Sequence, residues 1–263
     1  MISKVINYCW FGRNEKPELF RKCINSWKKY CPDYEIKEWN EDNFDVRCCD
    51  YVKEAYEAGK WAFVTDYVRL WIIYHYGGIY LDTDVEIVKP FDTLLSNKAF
   101  FGFENVGTAS DDSLIATGLG FGAIPKNTIV KRMLDAYSGE HFLNENGTYN
   151  LTTCPWRNMN AISDLLPEGY SPDSIIDLGE AMLYPAEYFC PLDARGIKMK
   201  RTNNTYSIHW YSASWLSPNE LIAHQYRVMK NKCQRIFGNT LGSYAVRIIY
   251  LFRPRERNIM RES

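Results

Sequence analysis

Apolar positions along the chain switch between two periods. Lys4 to Phe11 (KVINYCWF) is a short run of strand formers ending at Gly12, and it predicts a first core strand with Trp10 at its C-terminal end. Pro17 to Tyr30 (PELFRKCINSWKKY) takes helical spacing. Leu19, Phe20, Cys23, Ile24 and Trp27 share one face, Pro17 suits the first turn, and Cys31-Pro32-Asp33 breaks the pattern. Tyr34 to Trp39 alternates as a strand, and Asn40-Glu41-Asp42 turns the chain. Phe44 to Gly59 reads as a second helical region, polar enough to lie on the surface. This strand–helix–strand–helix opening predicts an α/β protein with a Rossmann-like sheet. It lacks G-x-G-x-x-G and the Walker glycine loop, which sets aside dinucleotide and P-loop enzymes.

The stretch from Trp61 to Pro90, WAFVTDYVRLWIIYHYGGIYLDTDVEIVKP, organises the rest. It begins as a helix and breaks at Gly77-Gly78, where paired glycines supply the positive φ that ends a helix. Ile79, Tyr80 and Leu81 then predict a buried strand, continuing through Val85 to Val88 and closing at Lys89-Pro90-Phe91. Residues two apart on a strand share a face, so Asp82 and Asp84 are expected to emerge together, about 6.6 Å apart along the chain. A divalent cation would relieve their mutual repulsion. A bare Asp-x-Asp triplet is also simply a charged strand end or a turn. Its position after a buried strand favours the ligand-binding edge of an open α/β sheet. On the helix before it, Asp66 and Arg69 are three apart and share a face. They form either a helix-surface pair or, on so apolar a stretch, a polar pair turned inward.

Further on, Ala99 to Phe103 predicts another buried strand, and Glu104 to Thr117 a polar loop with Asp111 and Asp112 solvated. Gly118 to Gly122 is either a cradle for sugar or phosphate, or a close-packed strand. Thr128 to Ser138 is a helix with Ile129, Met133, Leu134 and Tyr137 inward, and residues 170–200 read as strands and turns. Tyr206 to Trp215 (YSIHWYSASW) places His209 after a short apolar strand; a lone His there is a packing residue or a ligand. From Ser217 a new helix begins with a capping Ser and Pro at its first position, and it ends at Gly238. A second apolar segment, Tyr244 to Phe252, is followed by Arg253, Arg255 and Arg257.

Composition refines this outline. At 263 residues the chain suits one large α/β domain, or one domain with a small extension. The aromatic share of 15% points mildly toward carbohydrate and nucleotide sites, which use aromatic faces as cores do. The net charge of −1 hides an asymmetry: residues 221–263 hold nine Lys/Arg and two Asp/Glu, leaving an acidic body before them. That basic tail is either a solvated helical hairpin packed on the core or an amphipathic patch for anionic lipid headgroups. The eight cysteines include no C-x-x-C pair, and the N-terminus runs directly into a strand, so reduced thiols in a cytoplasmic protein are expected, peripheral on a membrane at most.

The run T-D-Y-V-R-L…Y-G-G-I-Y-L-D-T-D, with K-V-I-N-Y-C-W-F-G before it and S-I-H-W-Y-S-A-S-W after it, resembles glycosyltransferase family 32. This DXD-motif sugar-transferase family includes capsule enzymes, and the run is also similar to the glucosyltransferase domains of clostridial large toxins. The resemblance implies a GT-A type nucleotide-sugar-binding sheet flanked by helices over 1–216, with a basic C-terminal helical extension over 217–263. It implies a retaining transferase using Mn²⁺ or Mg²⁺, with Asp84 as direct ligand, Asp82 on the ribose or a metal-bound water, and His209 completing the metal shell. It implies donor contacts from Asp66, Arg69 and Tyr80, base stacking by Trp10, and Ser214 and Trp215 near the diphosphate. Residues 150–162 resemble a weaker family segment, with Cys154 where Gly is usual. The donor implied is a UDP-hexose, galactose or glucose, ahead of GDP-mannose. The acceptor implied is a saccharide or lipid-linked saccharide in capsular or exopolysaccharide synthesis, and no nucleic-acid partner is expected. A metal-dependent nuclease would need more than this one acid cluster, and a silent nucleotide-sugar-binding module would be expected to lose a metal-site residue.

Overall fold

The computed structural model describes residues 1–105, 113–194, 196, 198–212 and 218–251. Its centre is a seven-stranded mixed sheet in the order β2-β1-β3-β6-β5-β8-β7. The chain enters through β1 (Val5–Cys9), α1 (Glu18–Tyr30), β2 (Glu35–Trp39), α2 (Asp50–Glu57), α3 (Trp61–Tyr76) and β3 (Gly78–Tyr80). β1 pairs in parallel with both β2 and β3. After β4 (Val85–Ile87) come β5 (Ala99–Gly102) and β6 (Phe121–Ala123), the latter antiparallel to both β3 and β5. The remaining elements are α4 (Thr128–Asp135), α5 (Cys154–Ile162), β7 (Ile176–Asp177), β8 (Met182–Tyr184), α6 (Ala186–Phe189), β9 (Ser207–His209) and α7 (Pro218–Leu251). A mixed sheet covered by helices on both faces is the α/β fold expected from the sequence.

Strand alternation divides the core in two. Cys9, Tyr80, Phe101 and Phe121 face the layer that contains Val64, Val68 and Ile72 of α3 and Val130 of α4. Ile6, Tyr8, Ile79 and Phe100 face the layer that contains Phe20, Cys23 and Trp27 of α1 and Phe189 of α6. α3 needs apolar residues almost all round because it is buried against the sheet on one side and against α2 and α4 on others. Gly77 and Gly78 take φ of 68° and 93°, which turns the chain directly from helix into strand. A Cβ on Gly77 would lie 2.7 Å from Pro125, so the turn is crowded as well as left-handed.

Three expectations are corrected. β3 ends at Tyr80, and Asp82 to Asp84 form a turn closed by the Val85 N–H donating to the Asp82 carbonyl at 3.1 Å. The two acids therefore converge through a turn and not through strand alternation. Val85–Ile87 does not continue β3; it starts a separate two-stranded antiparallel sheet with β9, in which Val85 is opposite His209. In the Phe44–Gly59 region the helix spans only Asp50–Glu57; it lies at the surface with Asp50, Lys53 and Glu57 exposed, but Tyr51, Val52 and Ala55 are fully buried. The polar count along that segment concealed one apolar face.

α7 contains a break at Gly238, whose φ of 77° and ψ of 168° are non-helical. The chain folds back there. A Cβ on Gly242 would lie 2.3 Å from the Gln234 backbone, and Cys233 and Val246 form a small buried cluster of their own. Ile236, Phe237, Leu241, Tyr244 and Ile248 stay exposed on this hairpin. Among the described residues, no helix is long and apolar enough to cross a membrane.

Candidate active site

Parallel pairing of β1 with β3 sets Ile6 beside Ile79 and Asn7 beside Tyr80, so the residues that follow both strands leave the sheet at the same end. Trp10 and Asp82 are among them. Asn7 is buried and ties this end together: it donates to the Ile79 carbonyl at 3.3 Å and accepts from the Trp39 indole N–H at 2.9 Å. Beside it the Leu81 N–H donates to the Asn7 carbonyl, and the Asp82 N–H to the Gly118 carbonyl at 3.2 Å.

The small sheet supplies the third group. Pairing of β4 with β9 brings His209 to the acids, with Nε2 3.2 Å from Asp84 Oδ1. Asp84 Oδ2 accepts from the Ser212 N–H at 2.8 Å, and the Trp210 N–H donates to the Asp84 carbonyl. One ligand atom each from Asp82, Asp84 and His209 lies within 4.8 Å of the other two. Burial would raise the Asp84 carboxyl, but His209 and the Ser212 donors overcome it and hold Asp84 well below the usual carboxylate range. His209 is pushed up: burial opposes its charged form, and Asp84, Asp82 and Glu104 together outweigh that. Asp82 is raised by burial and by Asp84's charge, with Arg69 and His209 countering.

Arg69 binds the acids of α3 and the turn into one group. Its side chain is only 6% exposed, with Nη2 2.9 Å from Asp66 Oδ1 and 3.4 Å from Asp82 Oδ1. Nε donates to the Thr65 carbonyl at 3.0 Å, which fixes the plane of the guanidinium. The Asp66–Arg69 pair is therefore an inward pair, not a surface one. Asp66 is pushed up to about 6, chiefly by burial and secondarily by Asp82's charge, with Arg69 and Arg157 pulling the other way. Tyr80 is buried behind the turn, and its hydroxyl donates to Asp82 Oδ1 at 3.0 Å. The Trp10 indole N–H donates to the Asn14 carbonyl at 2.9 Å, and its half-buried ring lies 5.6 Å from that of Phe20. Ser214 and Trp215 lie outside the described residues, as do Asp111, Asp112, Arg253, Arg255 and Arg257.

Several residues at this site carry little signal in the sequence. Gly118 is pressed against the acids: a Cβ there would lie 2.2 Å from Asp82 Oδ2 and 2.9 Å from Arg69 Nη1. Of the two readings of the glycine run, its start is thus a close approach to the acids, while Gly122 sits inside β6. On α5, Cys154 stands beside Asp66, and Asn158 donates to Thr117 Oγ1 at 3.3 Å. Asn158 Oδ1 and Arg157 Nη2 are buried without a hydrogen-bond partner among the described residues. The only pointer to these was the weak family-like segment at 150–162. Tyr211 takes φ of 51°, packs its ring 4.3 Å from the His209 imidazole, and donates its hydroxyl to Glu104 Oε1 at 3.3 Å.

An Asp-x-Asp turn, an added imidazole and a buried Asp–Arg pair thus come together at one end of the sheet. Residues 17–101 match the glycosyltransferase sugar-binding region containing the DXD motif. Over that region the chain is similar to the DXD-motif glycosyltransferases. Two relatives come from Schizosaccharomyces pombe (strain 972 / ATCC 24843). Inositol phosphoceramide mannosyltransferase 1 is 30% identical over 123 residues, 42% of this chain and 37% of that protein. Inositol phosphoceramide mannosyltransferase 3 is 33% identical over 103 residues, 38% of this chain and 29% of that protein. The matched region thus spans about a third of each relative's length. Among solved structures, the PaToxG glycosyltransferase is similar with a TM-score of 0.45 and 22% identity, covering 63% of this chain and 70% of that one. A glycosyltransferase involved in glycosylation of the major capsid of PBCV-1 gives a TM-score of 0.44 and 13% identity, covering 86% of this chain and 99% of that one.

Proposed function

We propose that the chain transfers a hexosyl group from a nucleotide diphosphate sugar to a hydroxyl of a saccharide or lipid-linked saccharide, with Mn²⁺ or Mg²⁺ held by Asp84, Asp82 and His209. The observation that carries this reading is the convergence of those three ligand atoms beside the buried Asp66–Arg69 pair. The donor set fits such an ion: two carboxylates suit either metal, and one imidazole is compatible with Mn²⁺. His209 turns Nε2 toward Asp84 Oδ1 at 3.2 Å, so an imidazole nitrogen stands with the carboxylates where an ion would be held. When bound, the cation supplies Lewis-acid stabilisation of the leaving diphosphate.

The chain's own residues would do the rest. Asp66, held in place by Arg69, accepts hydrogen bonds from sugar hydroxyls, and Arg69 faces sugar or phosphate. Asp82, fixed by Tyr80 and Arg69, contacts the ribose or a metal-bound water. Trp10 offers its face to the base, with Ser214 and Trp215 assigned to the diphosphate. The acceptor hydroxyl attacks from the face the diphosphate leaves, which retains anomeric configuration, and its proton passes to a phosphate oxygen.

UDP-galactose or UDP-glucose is the favoured donor in this reading. The names of the two yeast relatives favour a second, GDP-mannose, and also a lipid-linked acceptor. Thermal-shift measurement with each nucleotide sugar, with and without Mn²⁺, tests it. Donor at about 100 times its Kd stabilises by about 2.7 kcal/mol, a readily measured shift. The expected result is stabilisation by one donor that requires the metal. Absence of any shift across UDP-galactose, UDP-glucose and GDP-mannose with Mn²⁺ or Mg²⁺ would overturn it.

A lipid-linked acceptor gives the C-terminal segment a role. In this reading 1–216 is the transferase domain, and the basic C-terminal extension 217–263, of which the α7 hairpin is the described part, rests on anionic membrane from the cytoplasmic side. Its exposed Ile236, Phe237, Leu241 and Tyr244 beside the positive charge of this segment support that role. Phe237→Ser with Leu241→Ser should abolish co-sedimentation with anionic liposomes while activity on a soluble acceptor persists; undiminished co-sedimentation would overturn the membrane role.

A further inference from the structure

Glu104 is a carboxylate at this end of the sheet to which the reaction above gives no part. β3 and β5 are both antiparallel to β6 and so run in the same direction, which sends the residues after β5 out at the edge that carries Asp82. The backbone there is tied on both sides. The Phe103 N–H donates to the Tyr184 carbonyl at 3.0 Å, and the Glu104 N–H to the Leu114 carbonyl at 2.7 Å. Phe101 and Phe103 pack on the α3 side of the sheet, so Glu104 turns to the other side, where Val85 and Ile87 of β4 lie. Its Oε1 accepts from the Tyr211 hydroxyl at 3.3 Å, and that ring packs 4.3 Å from the His209 imidazole. Cys190 Sγ lies 2.9 Å from the same hydroxyl. Glu104 is half-buried, and its Oε2 has no hydrogen-bond or ion-pair partner among the described residues.

The order of strands along the sheet edge suggests what that oxygen meets. Trp10 follows β1 and the two acids follow β3, whereas β5 lies on the far side of β3 from β1, with β6 between. A nucleotide stacked on Trp10, with its diphosphate at Asp82 and Asp84, occupies the β1–β3 part of the edge and leaves the β6–β5 part for what comes next to it. We propose, on the sugar-transferase reading above, that Glu104 binds the acceptor: Oε2 accepts a hydrogen bond from a hydroxyl of the incoming saccharide beside the one that attacks. No bond forms or breaks at Glu104. A carboxylate oxygen is a strong acceptor for a sugar hydroxyl, and with Oε1 tied to Tyr211 the other oxygen keeps one direction. Tyr211 is the positioning residue, its left-handed φ of 51° setting the ring between His209 and Glu104.

The full chain, with Mn²⁺ and the nucleotide sugar that stabilises it, is given methyl α-mannoside, methyl β-galactoside or methyl β-glucoside. Release of nucleoside diphosphate is then compared with release to water alone. The expected result is stimulation of wild type by at least one glycoside. Glu104→Gln should raise the KM for that glycoside, or lower transfer to it, by about 10- to 150-fold, the range for a hydrogen bond to a charged group. Its Mn²⁺-dependent thermal shift with the donor should match wild type, which also reports that the variant is folded. Glu104→Asp, its carboxylate drawn back by one methylene, should fall between the two and keeps the test decisive if Glu104→Gln fails to fold. Full transfer by either variant, loss of the donor shift in a folded variant, or no stimulation of wild type by any of the glycosides would each overturn the acceptor role. A wild-type chain with no donor shift would overturn the transferase reading itself, and the acceptor role with it.

Discussion

His209 Nε2 stands 3.2 Å from Asp84 Oδ1, held there by the pairing of two three-residue strands, β4 and β9. Neither residue is part of the main sheet. The pair thus joins the turn after β3 to a segment some 125 residues later in the sequence.

That relationship makes Asp84 the residue whose charge matters most. Asp84→Asn keeps the size of the side chain and the Ser212 contact region but removes one metal charge and His209's counter-ion. Turnover should fall about 100-fold or more, the rate equivalent of the several kcal/mol a bound cation contributes. Mn²⁺-dependent thermal stabilisation should disappear with it. Wild-type turnover in Asp84→Asn would remove the metal from the reading altogether.

Asp66 sets the acid limb of activity. Its folded-state value, raised to about 6, lies above that of the unfolded chain, so the folded state binds the extra proton between the two values. Stability contributed by this group is fully present below the unfolded value and is lost as pH rises through about 6. Function runs the other way, because only the carboxylate accepts sugar hydroxyls and pairs with Arg69. We expect kcat/KM to fall below pH about 6, and Asp66→Asn to lose that limb while gaining stability above it. A wild-type profile flat through this range would count against the assignment.

Gly118 is a steric prediction. A methyl group there would meet the Asp82 carboxylate at 2.2 Å and the Arg69 guanidinium at 2.9 Å, both held by other bonds. Overpacking of this sort costs about 1–3 kcal/mol. Gly118→Ala should therefore lower the melting temperature by a few degrees and kcat/KM by about tenfold or more, with donor affinity reduced. Unchanged donor affinity would mean that Asp82 and Arg69 lie off the donor path.

The sequence made the first half of this site readable because its signals are local. A helix breaking at paired glycines, a strand behind it and two acids one residue apart all fall within Trp61–Pro90, and the Asp66–Arg69 spacing follows from helix geometry. The register of the acids was misread because period-2 alternation was carried one turn beyond the strand. Asn158 and Tyr211 were missed, and Gly118 was left open between a cradle and a packed strand, since their roles arise from close approach between distant segments, which no local period encodes. His209 was visible only through a family-like segment, and its pairing with Val85 could not be inferred from either strand alone.

Trp10 separates a binding platform from a packing residue. It leaves β1 at the sheet end that carries the acids, and its half-buried ring leans on Phe20 instead of being enclosed. Stacking of a base on an aromatic face is worth about 1–3 kcal/mol. Trp10→Ala should raise KM for the donor by about 5- to 150-fold and leave kcat within a few-fold, since the base does not take part in the chemistry. Trp10→Ala also removes the hydrogen bond that anchors Asn14, so the change alone could act through the loop. Trp10→Phe resolves this: it loses the same hydrogen bond and keeps a stacking face. Recovery of most of the donor affinity in Trp10→Phe identifies the ring as the contact. Equal loss in both variants would instead assign Trp10 to holding the loop between Gly12 and Pro17.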